Sequence, residues 1–217
     1  MLGAIDLECI RGERLLFRGL SFEVAAGVCL HVAGENGAGK TSLLRILCGL
    51  LSPSAGEVRW RNESTRSLRE AYWAELVYIG HLNGVKDDLT AAENVRFAAA
   101  LSGHPAAAAD IAAGLAALGL AGFKDRPART LSQGQRRRIA LTRLFLAASA
   151  PLWILDEPFT ALDTRGVAVL VDLIAVHAAR GGIVVLTTHQ DVPLPTAVQR
   201  LELTPSDIST AQSGAAW

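Results

Sequence analysis

Eight consecutive residues, Gly34, Glu35, Asn36, Gly37, Ala38, Gly39, Lys40 and Thr41, fit GxxxxGK[ST] without a mismatch. The chemistry of that spacing is the gripping of a phosphate chain. Glycines let the backbone wrap closely around an anion, and successive N–H groups plus a helix N-terminus point at it. Lys40 adds a cation for the β- and γ-phosphates, the Thr41 hydroxyl is placed to ligate Mg²⁺, and Ser42 completes the run. A glycine-rich turn with a stray lysine is the bland alternative. A dinucleotide loop fits worse, because GxGxxG is absent and Lys-Thr stands where a helix begins.

Two further groups could act on the same phosphates. Asp156 closes an apolar run, the setting in which a carboxylate holds Mg²⁺ directly or through water. Glu157, one residue on, points differently and can polarise an attacking water as a general base. His189 follows a second apolar run and is placed to hydrogen-bond a γ-phosphate and steady Glu157. The stretch Leu131, Ser132, Gln133, Gly134, Gln135 contains a capping box, Ser132 with Gln135, that starts a helix. Its hydroxyl, the Gly134 N–H and the helix dipole also make an anion site. One domain cannot easily aim both anion sites at one phosphate, so the second is expected to serve ATP held by another copy of the chain.

The elements that must position these groups are legible as patterns. Val28 to Ala33 reads as a buried strand, and Ser42 to Leu47 repeats apolar residues at helical spacing. Leu152 to Leu155 and Ile183 to Leu186 are continuous apolar runs, as expected for parallel strands covered on both faces. Thr164 to Arg180 reads as the crossover helix between them. Ligands of such sheets collect beyond the carboxyl ends of the strands, where Asp156, Glu157 and His189 all stand. Short extended patterns at Ala4 to Cys9, Leu20 to Ala25 and Gly56 to Trp60, punctuated by Gly12, Gly19 and Gly27, suggest a small, partly antiparallel sheet. Residues 91 to 148 are alanine-rich and helical, broken by Gly103, Pro105, Gly119, Gly122 and Pro127. The tail past Thr204 is small and polar and reads as surface.

At 217 residues the chain suits a single domain with its own core. Lys plus Arg and Asp plus Glu are each 21, so no overall charge draws it to nucleic acid or anionic lipid. Arg136, Arg137 and Arg138 fan about 100° apart on a helix and form no basic stripe. The apolar stretches fall short of the roughly 20 residues that span a bilayer, and Met1 to Arg18 carries too many charges for a secretory signal. Cys9, Cys29 and Cys48 are widely spaced in apolar surroundings and read as reduced thiols of a cytoplasmic protein. His31, His81, His104 and His177 receive no chemistry.

Together these motifs resemble the nucleotide-binding subunits of ABC transporters over nearly the whole chain. The matching words are GENGAGKT at 34–41, LSQGQ at 131–135, LWILDEP at 152–158, Thr160 to Asp163 as the D-loop, and His189 as the switch histidine. The resemblance implies an α/β P-loop NTPase: a RecA-like core with a mainly parallel sheet, an antiparallel β-subdomain and an α-helical subdomain at about 84–150. It implies a head-to-tail homodimer around two ATP molecules. Within the superfamily, WILDEPFTALD, GGIVVLTTHQD, GEVRW and LLFRGLSF are most similar to the haem-exporter ATPases of cytochrome c biogenesis. That likeness implies a peripheral inner-membrane ATPase on a CcmB-like membrane subunit, with CcmC- and CcmD-like proteins. An ABC subunit for another solute is the alternative. A soluble ABC protein acting on DNA or ribosomes would need a long coiled coil or two cassettes. Two departures stand out. Leu82 occupies the place where the family has a glutamine that senses Mg²⁺ and meets the membrane partner. The aromatic that stacks on adenine is missing near Ile10 and Arg11; the planar Arg11 guanidinium could stack there, or be a solvated charge.

Overall fold

The computed structural model describes residues 1–103 and 105–204; His104 and the tail past Thr204 lie outside the described residues. Two sheets organise the chain. β1 (Leu2–Arg11) and β2 (Arg14–Val24) form an antiparallel hairpin, and β3 (Val28–Gly34) leads into α1 (Lys40–Leu47). β4 (Ala55–Trp60) and the short β5 (Glu63–Ser64) return to the hairpin, giving the antiparallel order β2-β1-β4-β5. Two short helices, α2 (Thr65–Leu68) and α3 (Glu70–Ala74), precede β6 (Leu76–Ile79). Then come α4 (Ala91–Leu101), α5 (Ala108–Ala117), α6 (Gln133–Leu141) and α7 (Arg143–Leu146). β7 (Leu152–Leu155), α8 (Thr164–Ala179), β8 (Ile183–Thr187) and β9 (Ala197–Leu203) complete the chain. The second sheet is parallel throughout, in the order β6-β7-β8-β3-β9.

The period-2 geometry of a strand explains the two cores. Leu152, Ile154, Ile183, Val185, Leu30 and Val32 face one way and pack on Leu43, Leu44 and Leu47 of α1 and on the antiparallel sheet. Trp153, Leu155, Val184, Leu186, Val77 and Ile79 face the other way, against Leu141, Leu144, Leu170 and Ile174. Each fully buried leucine contributes about 1.5–3 kcal/mol relative to exposure. A third cluster, including Val95, Ile111, Leu115, Leu131 and Ile139, joins α4, α5 and α6. All three cysteines are buried, and burial pushes the Cys29 thiol up to about 12.

The expected parallel strands and crossover helix stand where the apolar runs put them. Gly19 is a correction: it does not separate two strands. β2 runs straight through it, and Gly19 adopts φ 66 where the pairing with β1 shifts register between Leu7 and Cys9. An extra residue is absorbed there as a bulge, which a glycine permits.

Candidate nucleotide-binding site

The site is built at the carboxyl ends of four adjacent strands. β3 delivers the phosphate loop, β7 delivers Asp156 and Glu157, β8 delivers Thr187 and His189, and β6 delivers the loop at 80–84. Gly39, with φ 100, caps α1 in the left-handed region. A Cβ there would sit 3.1 Å from Leu16 and 3.2 Å from Phe17, so only glycine serves both the turn and the packing.

Lys40 is almost wholly buried, and its Nζ donates to the carbonyls of Gly34 (2.6 Å) and Glu35 (3.0 Å), lying across the mouth of its own loop. The Thr41 hydroxyl donates to Asp156 Oδ2 at 2.9 Å. The Thr187 hydroxyl donates to Asp156 Oδ1 at 2.8 Å and accepts from the Glu157 N–H at 2.9 Å. Asp156 is thus fixed on both oxygens, and the Thr41–Asp156 pair offers hard oxygens of the kind that would suit Mg²⁺. Glu157 adopts φ 50, left-handed and costly for a residue with a Cβ. Its Oε1 is buried without a hydrogen-bond partner and lies 3.5 Å from His189 Nε2. An unsatisfied buried carboxylate oxygen in a polar cleft is suited to accept from water.

These groups border a cleft of about 710 Å³, large enough for a nucleotide. Asn36, Gly37 and Gly39 to Ser42 line it together with Asp156, Glu157 and His189, whereas Gly34, Glu35 and Ala38 shape the loop from outside the lining. Arg11 and Leu16 form one wall. His81, left without chemistry in the sequence, also lines the cleft, as do Gln190 and Thr160, the first residue of the D-loop word. The places of His81 and Gln190 follow from loops whose course the sequence does not state.

Leu131 to Gln135 do not reach this cleft. Ser132 caps α6 as expected: its Oγ accepts from the Gln135 N–H at 3.2 Å, and Gln135 Oε1 accepts from the Ser132 N–H at 2.8 Å. A Cβ on Gly134 would run into the Ala161 carbonyl, so the glycine lets the tip of α6 rest against the loop before α8. Asp163 caps α8 through Oδ1 to the Gly166 N–H (2.8 Å) and pairs through Oδ2 with Arg138 (2.7 Å). The Gly166 hydrogen bond, then Arg138, hold its carboxyl below the usual range. The three arginines indeed form no stripe: Arg136 pairs with Asp87 at 2.8 Å, Arg138 with Asp163, and Arg137 turns inward.

A cradle, a hydroxyl–carboxylate pair and a glutamate whose buried oxygen lacks a hydrogen bond stand at one sheet end and are accompanied by a sequence profile match to the ABC transporter family over residues 17–160. The chain belongs to that family. It is an ATP-binding, ATP-hydrolysing subunit. It is 52% identical over 203 residues to the cytochrome c biogenesis ATP-binding export protein CcmA of Aromatoleum aromaticum, covering 94% of this chain and 95% of that one. It is 54% identical over 207 residues to the protein of the same name from Salmonella typhi, covering 94% and 97%. Its fold matches a dimeric ATP-binding cassette in a post-hydrolysis state bound to ADP and Pi, at TM-score 0.79 and 23% identity over 94% of this chain and 96% of that one. A second ABC transporter ATP-binding subunit matches at TM-score 0.77 and 24% identity, covering 87% and 79%.

Proposed function

We propose that this ABC subunit supplies ATP hydrolysis to a haem-handling transporter of cytochrome c biogenesis. The observation that carries this is identity above half, over 94% of the chain, to proteins named for ATP-binding export in cytochrome c biogenesis. Its membrane partner is a CcmB-like subunit, with CcmC- and CcmD-like proteins alongside. The subunit sits on the cytoplasmic face of the bacterial inner membrane and reaches the membrane through these partners. Among the described residues no helix is long and apolar enough to cross a membrane. The chain is one ATP-binding domain, with residues at about 84–150 as its helical subdomain.

In this reading the triphosphate lies along Gly34 to Ser42, with Lys40 freed from its loop carbonyls to meet the phosphates. Thr41 and Asp156 would hold Mg²⁺, which would supply positive charge against that developing on the phosphoryl oxygens. Glu157 takes a proton from the attacking water, and His189 steadies both. Arg11 stacks on the adenine through its planar guanidinium, with Leu16 beside it on the same wall adding apolar contact. Leu131 to Gln135 act on nucleotide held by the second copy of a homodimer, with Asp163 at the seam, because they stand apart from the chain's own cleft.

Deletion of the gene should abolish covalent cytochrome c maturation while the apocytochromes are still made. Unaffected cytochromes would remove the haem half of the proposal. Mild-detergent purification of a tagged copy should bring down a CcmB-like protein; a different permease in its place would assign another solute.

A further inference from the structure

Arg137 is a charged side chain only 4% exposed, and it does not itself line the nucleotide cleft. Its guanidinium is shared between two segments. Nη1 donates to the Gly80 carbonyl at 2.9 Å and to Asn83 Oδ1 at 3.1 Å. Nη2 donates to the carbonyls of Asp156 at 2.8 Å and Glu157 at 2.9 Å, and Nε donates to the Pro158 carbonyl at 3.4 Å. The residue rides on α6, the helix that Ser132 caps. One side chain therefore joins the loop after β6, the turn that carries both carboxylates, and the helix expected to face a second copy.

The turn needs such support. Glu157 holds a left-handed φ of 50 that its own side chain disfavours. Thr187 fixes its N–H from one side, and Arg137 fixes its carbonyl from the other. The loop needs it equally. Between Gly80 and Asn83 stand His81, on the cleft wall, and Leu82, which is 83% exposed. A planar fork spreads five donors over three nitrogens and can span both segments at once, whereas a lysine presents its three donors from a single point.

We infer that Arg137 is a positioning residue for hydrolysis, which locks the 80–83 loop to the turn of Glu157 so that displacement of the loop misplaces the carboxylate. The inference rests on the base role proposed for Glu157. It assigns to this loop a coupling that runs through Asn83 and the Gly80 carbonyl, with Leu82 as its exposed crest.

The test uses the full chain in complex with its membrane subunit and compares Arg137→Lys, Arg137→Gln, Asn83→Ala and Glu157→Gln. In both Arg137 variants kcat should fall by about 10²-fold while KM for ATP stays near native, as expected for a misplaced group outside the binding contacts. In the nucleotide-free chain, the amides at 81–84 and those of Glu157, Phe159 and Thr160 should exchange faster together. Asn83→Ala should lower kcat alone but add nothing on the Arg137→Gln background, since both act through one link. Native kcat in Arg137→Lys, or full additivity of Asn83→Ala with Arg137→Gln, overturns the inference. Should Arg137→Gln fail to fold, Arg137→Lys and the exchange of Glu157, Phe159 and Thr160 in Asn83→Ala decide it, native values in both counting against. Normal turnover in Glu157→Gln would overturn the base assignment and this inference with it. An inert Glu157→Gln beside a native Arg137→Lys would remove Arg137 alone.

Discussion

Asp156 and Glu157 are neighbours with opposite fates, and Thr187 separates them. Its hydroxyl donates a hydrogen bond to the Asp156 carboxylate and accepts one from the Glu157 amide, so one side chain is satisfied while the next keeps a buried oxygen without a partner. Glu157→Gln is expected to bind ATP normally and to lose about 10²–10⁴-fold in turnover, the range for removing a general base. Nucleotide binding by fluorescence and phosphate release would measure the two separately; near-native phosphate release would exclude the role. Thr187→Val keeps the shape but leaves a carboxylate oxygen and an amide short of partners. It should cost about 1–3 kcal/mol of stability in denaturant titration and slow hydrolysis as well. The carboxylates were legible because their types and order are unusual at the end of an apolar run. Arg137 was hidden inside a basic triplet that reads as solvated. Its register was the missed signal: Ala140, Leu141 and Leu144, at three, four and seven residues further on, are all buried.

Elements announced themselves in proportion to how completely they are buried. β7 is apolar throughout and β8 is apolar up to Thr187, so both are legible directly, whereas β9 (AVQRLEL) is largely exposed at the sheet edge and carries no such run. α2 and α3 span four and five residues, too few for a helical period to show. The crossover α8 was legible, yet its histidine was not. His177 lies buried with its ring 3.8 Å from that of Trp153 and only 10° from parallel, and its Nε2 has no hydrogen-bond partner. Burial holds its pKa below the ordinary 6.5. The unfolded chain therefore takes up this proton more readily than the folded one. The stability contributed by the neutral ring is present above the unfolded value and is lost as pH falls. Thermal unfolding between about pH 7.5 and 5.5 should show native Tm falling more steeply than that of His177→Phe, which keeps the stack and removes the proton. Equal slopes would mean that the buried imidazole is protonated without cost.

At the scale of the molecule, the separation of the Ser132 tip from the cleft makes the subunit incomplete by itself in the proposed mechanism. The sequence leads to this expectation because one domain cannot easily aim two anion sites at one phosphate, but the distance between them depends on how α6 packs, which no local pattern encodes. A head-to-tail pair has a consequence that a self-contained site lacks. Ser132→Arg spoils the tip and leaves the cradle intact; Glu157→Gln spoils the cradle and leaves the tip intact. Each homodimer should be inert. In a mixed dimer both lesions meet at one site, and the other site combines an intact Glu157 with an intact Ser132. With random exchange of subunits, half the dimers are mixed and each has one working site, so an equimolar mixture should recover about a quarter of native turnover. Phosphate release after subunit exchange measures this, with each homodimer's native-like fold checked by circular dichroism. A mixture as inert as its components would mean that hydrolysis needs both sites intact. Full turnover by Ser132→Arg alone, at a dilution where the native chain sediments as a monomer, would establish instead that each chain works on its own nucleotide.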